Sequence, residues 1–146
     1  IGLTETFKEL MKDYKPEKHL ELLFESLCSS SNFDAKEIKK ISQKSLEEFK
    51  DKSTKDLLML LSEKNNDKLY PSRILNLGLY ILIANCSDLK EINESEANKT
   101  ISDIFEKLKL STNKAEKDIG IYKSSISKME QAKELIEEQR LKEKKN

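Results

Sequence analysis

SRILNLGLYILIANC, Ser72 to Cys86, is apolar almost all the way round a helix. Such a segment is either the central helix of a packed bundle or a membrane span. Crossing a bilayer takes roughly 20 mostly apolar residues, whereas this run is shorter and carries Arg73 and Asn76. The segment is therefore expected to be a buried helix about which others pack, with Pro71 just ahead of its start. Gly78 in its middle costs about 1 kcal/mol relative to Ala, a cost that makes sense where a neighbouring helix must come close.

Towards the N-terminus the apolar spacing stays helical. IGLTETFKELMKDY sets Leu3, Phe7, Leu10, Met11 and Tyr14 on one stripe. Pro16 suits the first turn of a second helix, where its missing N–H would have no partner in any case. Leu20, Leu23, Phe24, Leu27 and Cys28 would form the inner face of that helix, and SSSN, residues 29–32, would end it. Asp34 can cap a third helix with Glu37 reaching back, Ile38, Ile41 and Phe49 supplying its apolar positions. Ser53 or Thr54 starts a fourth built on Leu57, Leu58, Leu60 and Leu61, and SEKNNDK, residues 62–68, reads as a loop.

Towards the C-terminus, Ile101, Ile104, Phe105 and Leu108 mark a sixth helix after the polar stretch NESEAN, residues 93–98. Ser111 or Thr112 then caps a long seventh. It carries Ala115, Ile119, Tyr122, Ile126, Met129 and Ala132, then Leu135 and Ile136, before EEQRLKEKKN turns it over to charge. The expected fold is thus all-α, a single-domain bundle of about six or seven helices, with residues 1–111 as core and 112–146 as a long protruding helix. A helix that stays periodic beyond its own core either joins a coiled coil or meets a partner. Lys133 and Arg140 on the seam argue against a long homodimer, so a monomer is expected.

With 146 residues the chain supports one core. Lys plus Arg and Asp plus Glu number 27 each, giving a formal charge of zero and no global field to attract nucleic acid or anionic lipid. The only arginines are Arg73 and Arg140, which removes most bidentate donors for bases or phosphates. Cys28 and Cys86 sit in apolar runs and are read as reduced, buried side chains. The chain starts at Ile1, and no basic region followed by an apolar core and cleavage site is present in it, so no targeting peptide is expected within it.

Catalytic equipment is sparse. His19 is the one histidine and reads as a surface residue, and the cysteines lack ligand spacing, so no metal or other cofactor is expected. No phosphate loop or nucleophile elbow occurs, and the carboxylates alternate with lysines as on solvated helix faces, so an enzyme is not expected. The alternative is a DNA-binding regulator. ISDIFEKLKLSTNKAEKDIGIYK has the cadence of a helix-turn-helix, but Lys114, Lys117 and Lys123 are offset by Glu116 and Asp118, which favours a plain helical hairpin. The Lys-rich tail is expected to bind anionic vesicles weakly, because Lys142, Lys144 and Lys145 are countered by Glu143 and neighbouring acids.

Four stretches, in order, resemble a known family. NKAEKDIGIYKSSISKMEQAKELIEEQ, Asn113 to Gln139, resembles the C-terminal signature of the thylakoid formation 1 (Thf1/Psb29) proteins of cyanobacteria and plastids. IGLTETFKELMKDYKPE, LFESLCSS and SRILNLGLYILI resemble three earlier segments of that family. Departures are Pro71 where the family has an aromatic, Asp13 in place of a Gly before Tyr14, Asn76 within the apolar helix, and no counterpart to the family's N-terminal helical stretch before Ile1. The resemblance implies a non-enzymatic accessory protein of photosystem II biogenesis and repair under light stress. It would sit peripheral to the thylakoid membrane, on the cytoplasmic or stromal side, in association with the FtsH protease. On this basis Tyr122, Lys128, Gln131, Lys133 and Glu134 are expected to form the partner surface, with Arg73 supporting the core end by capping or pairing. Spacing alone is equally consistent with Tyr122 and Met129 in the core.

Overall fold

The structure, a computed structural model, describes residues 1–64 and 69–145. Residues 65–68 of the expected SEKNNDK loop lie outside the described residues. Among those described there are seven α-helices and no strand: α1 Gly2–Met11, α2 His19–Ser30, α3 Ala35–Phe49, α4 Thr54–Lys64, α5 Arg73–Ala84, α6 Glu94–Lys107 and α7 Thr112–Lys145, with a single 3-10 turn at Ser87–Leu89. None of these helices is long and apolar enough to cross a membrane.

The Ser72–Cys86 stretch is the packing centre. Ser72 caps α5 by accepting the Leu75 N–H at 3.0 Å, and Asn76, Leu77, Gly78, Leu79 and Ile83 are buried against α1, α6 and α7. Leu57 of α4, Ile101, Ile104 and Phe105 of α6, and Ala115 and Ile119 of α7 complete one continuous cluster with them. Cys86 and Leu89, in the turn after α5, belong to it as well. Helix α1 crosses α5 where the two glycines meet. A Cβ on Gly2 would stand 2.0 Å from the Ile74 carbonyl oxygen, and one on Gly78 would stand 2.9 Å from the Gly2 nitrogen. Two side-chain-free positions let the backbones touch.

Several local expectations need correction. Pro16 does not open α2: His19 is the first helical residue, and its N–H donates to the Pro16 carbonyl at 3.0 Å. Proline's fixed φ suits a turn as well as a helix start, and here the turn prevails. Tyr14 lies beyond the end of α1 and is exposed. On α2 only Phe24 and Cys28 are buried, while Leu22, Leu23 and Leu27 are 61%, 37% and 40% exposed. Helix α2 packs on α3 and meets α1 along one edge, so a stripe broad enough for a central helix goes half used.

On α3, Asp34 accepts the Glu37 N–H at 2.8 Å as expected, but Ile41 is 54% exposed and the buried residue is Ser42. Thr4 of α1 explains the exchange. Its hydroxyl donates to the Ile1 carbonyl at 3.0 Å, so its contact with Ser42 Oγ is one in which Ser42 donates. The α1–α3 seam is therefore polar at the point where spacing called for an aliphatic residue. NESEAN also proves helical: Asn93 accepts the Glu96 N–H at 2.9 Å and α6 begins at Glu94. Its charged first turn hid a capping arrangement.

Helix α7 is roughly 50 Å long at 1.5 Å per residue. Ala115 and Ile119 are buried, Tyr122, Ile126 and Met129 are half-buried, and every residue from Glu130 to Lys144 is exposed. Gly120 sits on its exposed side with nothing within 4 Å of a would-be Cβ. Gly120→Ala should accordingly stabilise the fold by about 0.5–1 kcal/mol, seen as a higher urea midpoint at unchanged m; a lower midpoint would contradict the open surroundings.

Candidate functional site

The inner half of α7 is fixed to α5 through one carboxylate. Asp118 accepts from Arg73 Nε at 3.1 Å and from Asn76 Nδ2 at 2.9 Å. Arg73 and Asn76, three apart on α5, share a helix face. The Asn76 amide, and after it the Arg73 guanidinium, hold the Asp118 carboxyl below the usual range. Asn76 is thus a buried donor with a partner. Asp118 was missed in the sequence, where the available signal was two polar residues at i and i+3 in an apolar helix.

The α6–α7 connection is a plain hairpin. Lys109 takes the left-handed conformation at φ 58°, Leu110 is buried, and Ala115 and Ile119 seat α7 in the core. Lys123 is committed within the structure: it pairs with Glu94 at 3.6 Å and lies over the Tyr80 ring at 5.5 Å. The helix-turn-helix reading finds no support in this arrangement.

The expected surface residues separate into three groups. Tyr122 faces inward: it is half-buried, its ring set edge-on to Tyr80 at 6.4 Å and 71°, and burial pushes its phenol pKa up. It therefore leaves the exposed set, because the Tyr80 side chain of α5 reaches it. Lys133 is exposed but engaged. It pairs with Asp13, just past α1, at 2.9 Å, which holds the Asp13 carboxyl below its ordinary range. One turn earlier Lys12 reaches Glu130 at 3.5 Å. Exposed pairs of this kind are worth little each, yet they mark where α7 leaves the rest of the molecule. Lys128, Gln131 and Glu134 are exposed, with no side-chain partner among the described residues.

Lys128, Gln131 and Leu135 share one face at i, i+3 and i+7. Leu135, Ile136 and Leu141 are 60%, 51% and 60% exposed. The outer half of α7 thus sets three exposed apolar side chains among charged ones.

Elsewhere the side chains offer structure more than reactivity. Cys28 and Cys86 are buried free thiols. Burial, chiefly, pushes Cys86 up to about 11 and raises Cys28 as well, which keeps both protonated and unreactive. No cluster of His, Cys, Asp and Glu among the described residues could hold a metal ion, and His19 is exposed beside Tyr14.

The sequence model of the thylakoid formation protein family matches residues 1–146. Protein Thf1 of Prochlorococcus marinus strain MIT 9312 is 77% identical over 145 residues, covering 99% of this chain and 72% of that protein. Protein Thf1 of Prochlorococcus marinus subsp. pastoris is 65% identical with the same coverage, and that of Synechococcus sp. strain CC9605 is 33% identical over 94% of this chain and 65% of its own. A solved structure of Psb29 superposes with a TM-score of 0.76 at 21% identity, over 99% of this chain and 73% of that one, and so has the same fold. The chain belongs to the thylakoid formation protein family.

Proposed function

We propose that this chain serves photosystem II biogenesis and repair as a non-enzymatic accessory protein that works by holding another protein on the outer half of α7, with the FtsH protease as that partner. One observation carries the reading: α7 continues well past Met129, where its contact with the core ends, and exposes Leu135, Ile136 and Leu141. A helix with uncovered apolar side chains gains by laying them in a groove of another protein. Family membership supports the thylakoid setting. The protein acts peripherally on the cytoplasmic or stromal side, in keeping with the absence of any spanning helix among the described residues.

Affinity capture from solubilised cyanobacterial thylakoids tests this. The full chain should retain FtsH, and a chain ending at Lys133 should lose it while still unfolding cooperatively, because residues 134–144 are exposed. Lys128→Ala, Gln131→Ala and Glu134→Ala together should weaken capture about tenfold or more, in line with the loss of a few interface contacts. Unchanged capture by the shortened chain would sink the role given to α7. Failure of the folded full chain to retain FtsH would remove the partner.

A further inference from the structure

Helices α2 and α3 form a hairpin set apart from the main buried cluster. Neither helix contributes a residue to that cluster, and only Phe49, in the last turn of α3, leans on its edge. The hairpin is tied together internally: Lys39 of α3 pairs with Glu21 of α2 at 2.6 Å and lies over the Phe24 ring at 5.0 Å. Its links to α1 are of another kind. Phe24 meets Phe7 edge-on at 5.1 Å, and Ser42 meets Thr4. Between α1 and the hairpin an open cleft of about 440 Å³ remains, where Phe7, Met11, Leu20 and Phe24 share the wall with charged side chains including Lys8, Glu21 and Lys39. The seam is thus a solvent-accessible cleft rather than a packed interior.

The connections at both ends permit movement. Residues 14–18 join α1 to α2 without helix, past the Lys12–Glu130 and Asp13–Lys133 pairs that hold residues 12 and 13 to α7. At the other end Asp51 takes φ 55°, while the next residue is pinned: the Lys52 carbonyl accepts from the Ser87 N–H at 3.0 Å, and Asp88 accepts from the Thr54 N–H at 2.9 Å. On that side the hinge is residues 50 and 51, closed by one long backbone hydrogen bond from the Lys52 N–H to the Phe49 carbonyl at 3.4 Å.

We infer that the α2–α3 hairpin is a hinged flap, which swings away from α1 as a unit and uncovers Phe7, Met11, Leu20 and Phe24 while α4–α7 stay folded. Opening separates the Phe7–Phe24 and Thr4–Ser42 contacts and leaves the Lys39–Glu21 link whole. It is a cooperative opening of lower free energy than global unfolding.

Native-state hydrogen exchange followed by mass spectrometry tests it, on the whole chain and on a Thr4→Cys, Ser42→Cys variant. The two hydroxyls already touch, so the introduced sulfurs fall within bonding reach, and the reduced variant is its own folding control. The α2 and α3 amides should exchange together, roughly 100-fold faster than the slowest in α5, in the native chain and the reduced variant. Air oxidation should bring them close to α5. Equal protection of α2–α3 and α5 in the native chain would overturn the flap, as would a cross-link that forms and leaves α2–α3 exchange as fast as before, since the opening would then be fraying within the helices. A cross-link that fails to form would contradict the closed geometry.

Discussion

Gly2→Ala should destabilise the protein by about 3 kcal/mol, the upper range for a side chain forced into a filled space. The reason is geometric. A Cβ at Gly2 would stand 2.0 Å from the carbonyl oxygen of Ile74, and both that oxygen and the neighbouring Gly78 nitrogen are backbone atoms of α5 that cannot rotate aside. The structure must separate α1 from its closest neighbour or tilt it, and either exposes part of the surface around Leu77 and Gly78. Gly78→Ala should cost less, because its Cβ would stop 2.9 Å from the Gly2 nitrogen. The two changes share one contact and should not add. Once α1 has moved for the first, the second finds room, and the double variant should be little worse than Gly2→Ala alone. Urea midpoints of the three variants check this. Full additivity would mean that the glycines are tolerated for separate reasons.

Asp118→Ala should cost about 2 kcal/mol, the range for removing a charged partner and leaving a buried amide unmet. Asn76 is 5% exposed and its Nδ2 has Asp118 as its acceptor. Asp118→Asn retains an acceptor for Asn76 but loses the charge opposite Arg73, and should fall between the two. The pH dependence has a definite sign. The Asn76 amide, followed by Arg73, depresses the folded-state pKa of Asp118 below the roughly 3.9 of an unfolded aspartate, so unfolding takes up a proton in that window. The stabilisation is complete above the unfolded value and disappears as pH falls through the folded one. The gap between the native chain and Asp118→Ala should be constant from neutral pH to about pH 5 and narrow below about pH 4. A gap that widens on acidification would show that burial outweighs both partners.

The centre of this fold was legible and its periphery was not, for physical reasons. The Ser72–Cys86 run can satisfy its apolar surface in one way once its length excludes a bilayer. Asp34 declares its cap because a side-chain acceptor three residues ahead of a free N–H is a local matter. Burial on α2 and α3 depends on what lies opposite, which spacing does not carry: Leu23, Leu27 and Ile41 look inward in the sequence and are exposed in a hairpin with one packed edge. Ser42 looks like a surface residue, and its burial requires knowing that Thr4 waits across the seam. Asp118 could be found only by pairing two helices far apart in the chain. At the proposed partner surface, Lys128, Gln131 and Glu134 lay where the helical period put them. Tyr122 could not be assigned without Tyr80.

The protrusion of α7 separates distance from direction. The chain has no proline after Pro71 and no glycine after Gly120, so the tip has no built-in joint. The tip stands roughly 18 Å beyond Lys133, at 1.5 Å per residue, and its bearing is set by the paired anchors at Asp118 and Asp13. A molecule held there is kept at a fixed stand-off from the body. Each residue added or removed before the contact face would change that spacing slightly while turning the face by about 100°. Angular phase is therefore far less tolerant of change than length, and whole-turn variation is the form in which such a strut can differ between relatives and still present the same side.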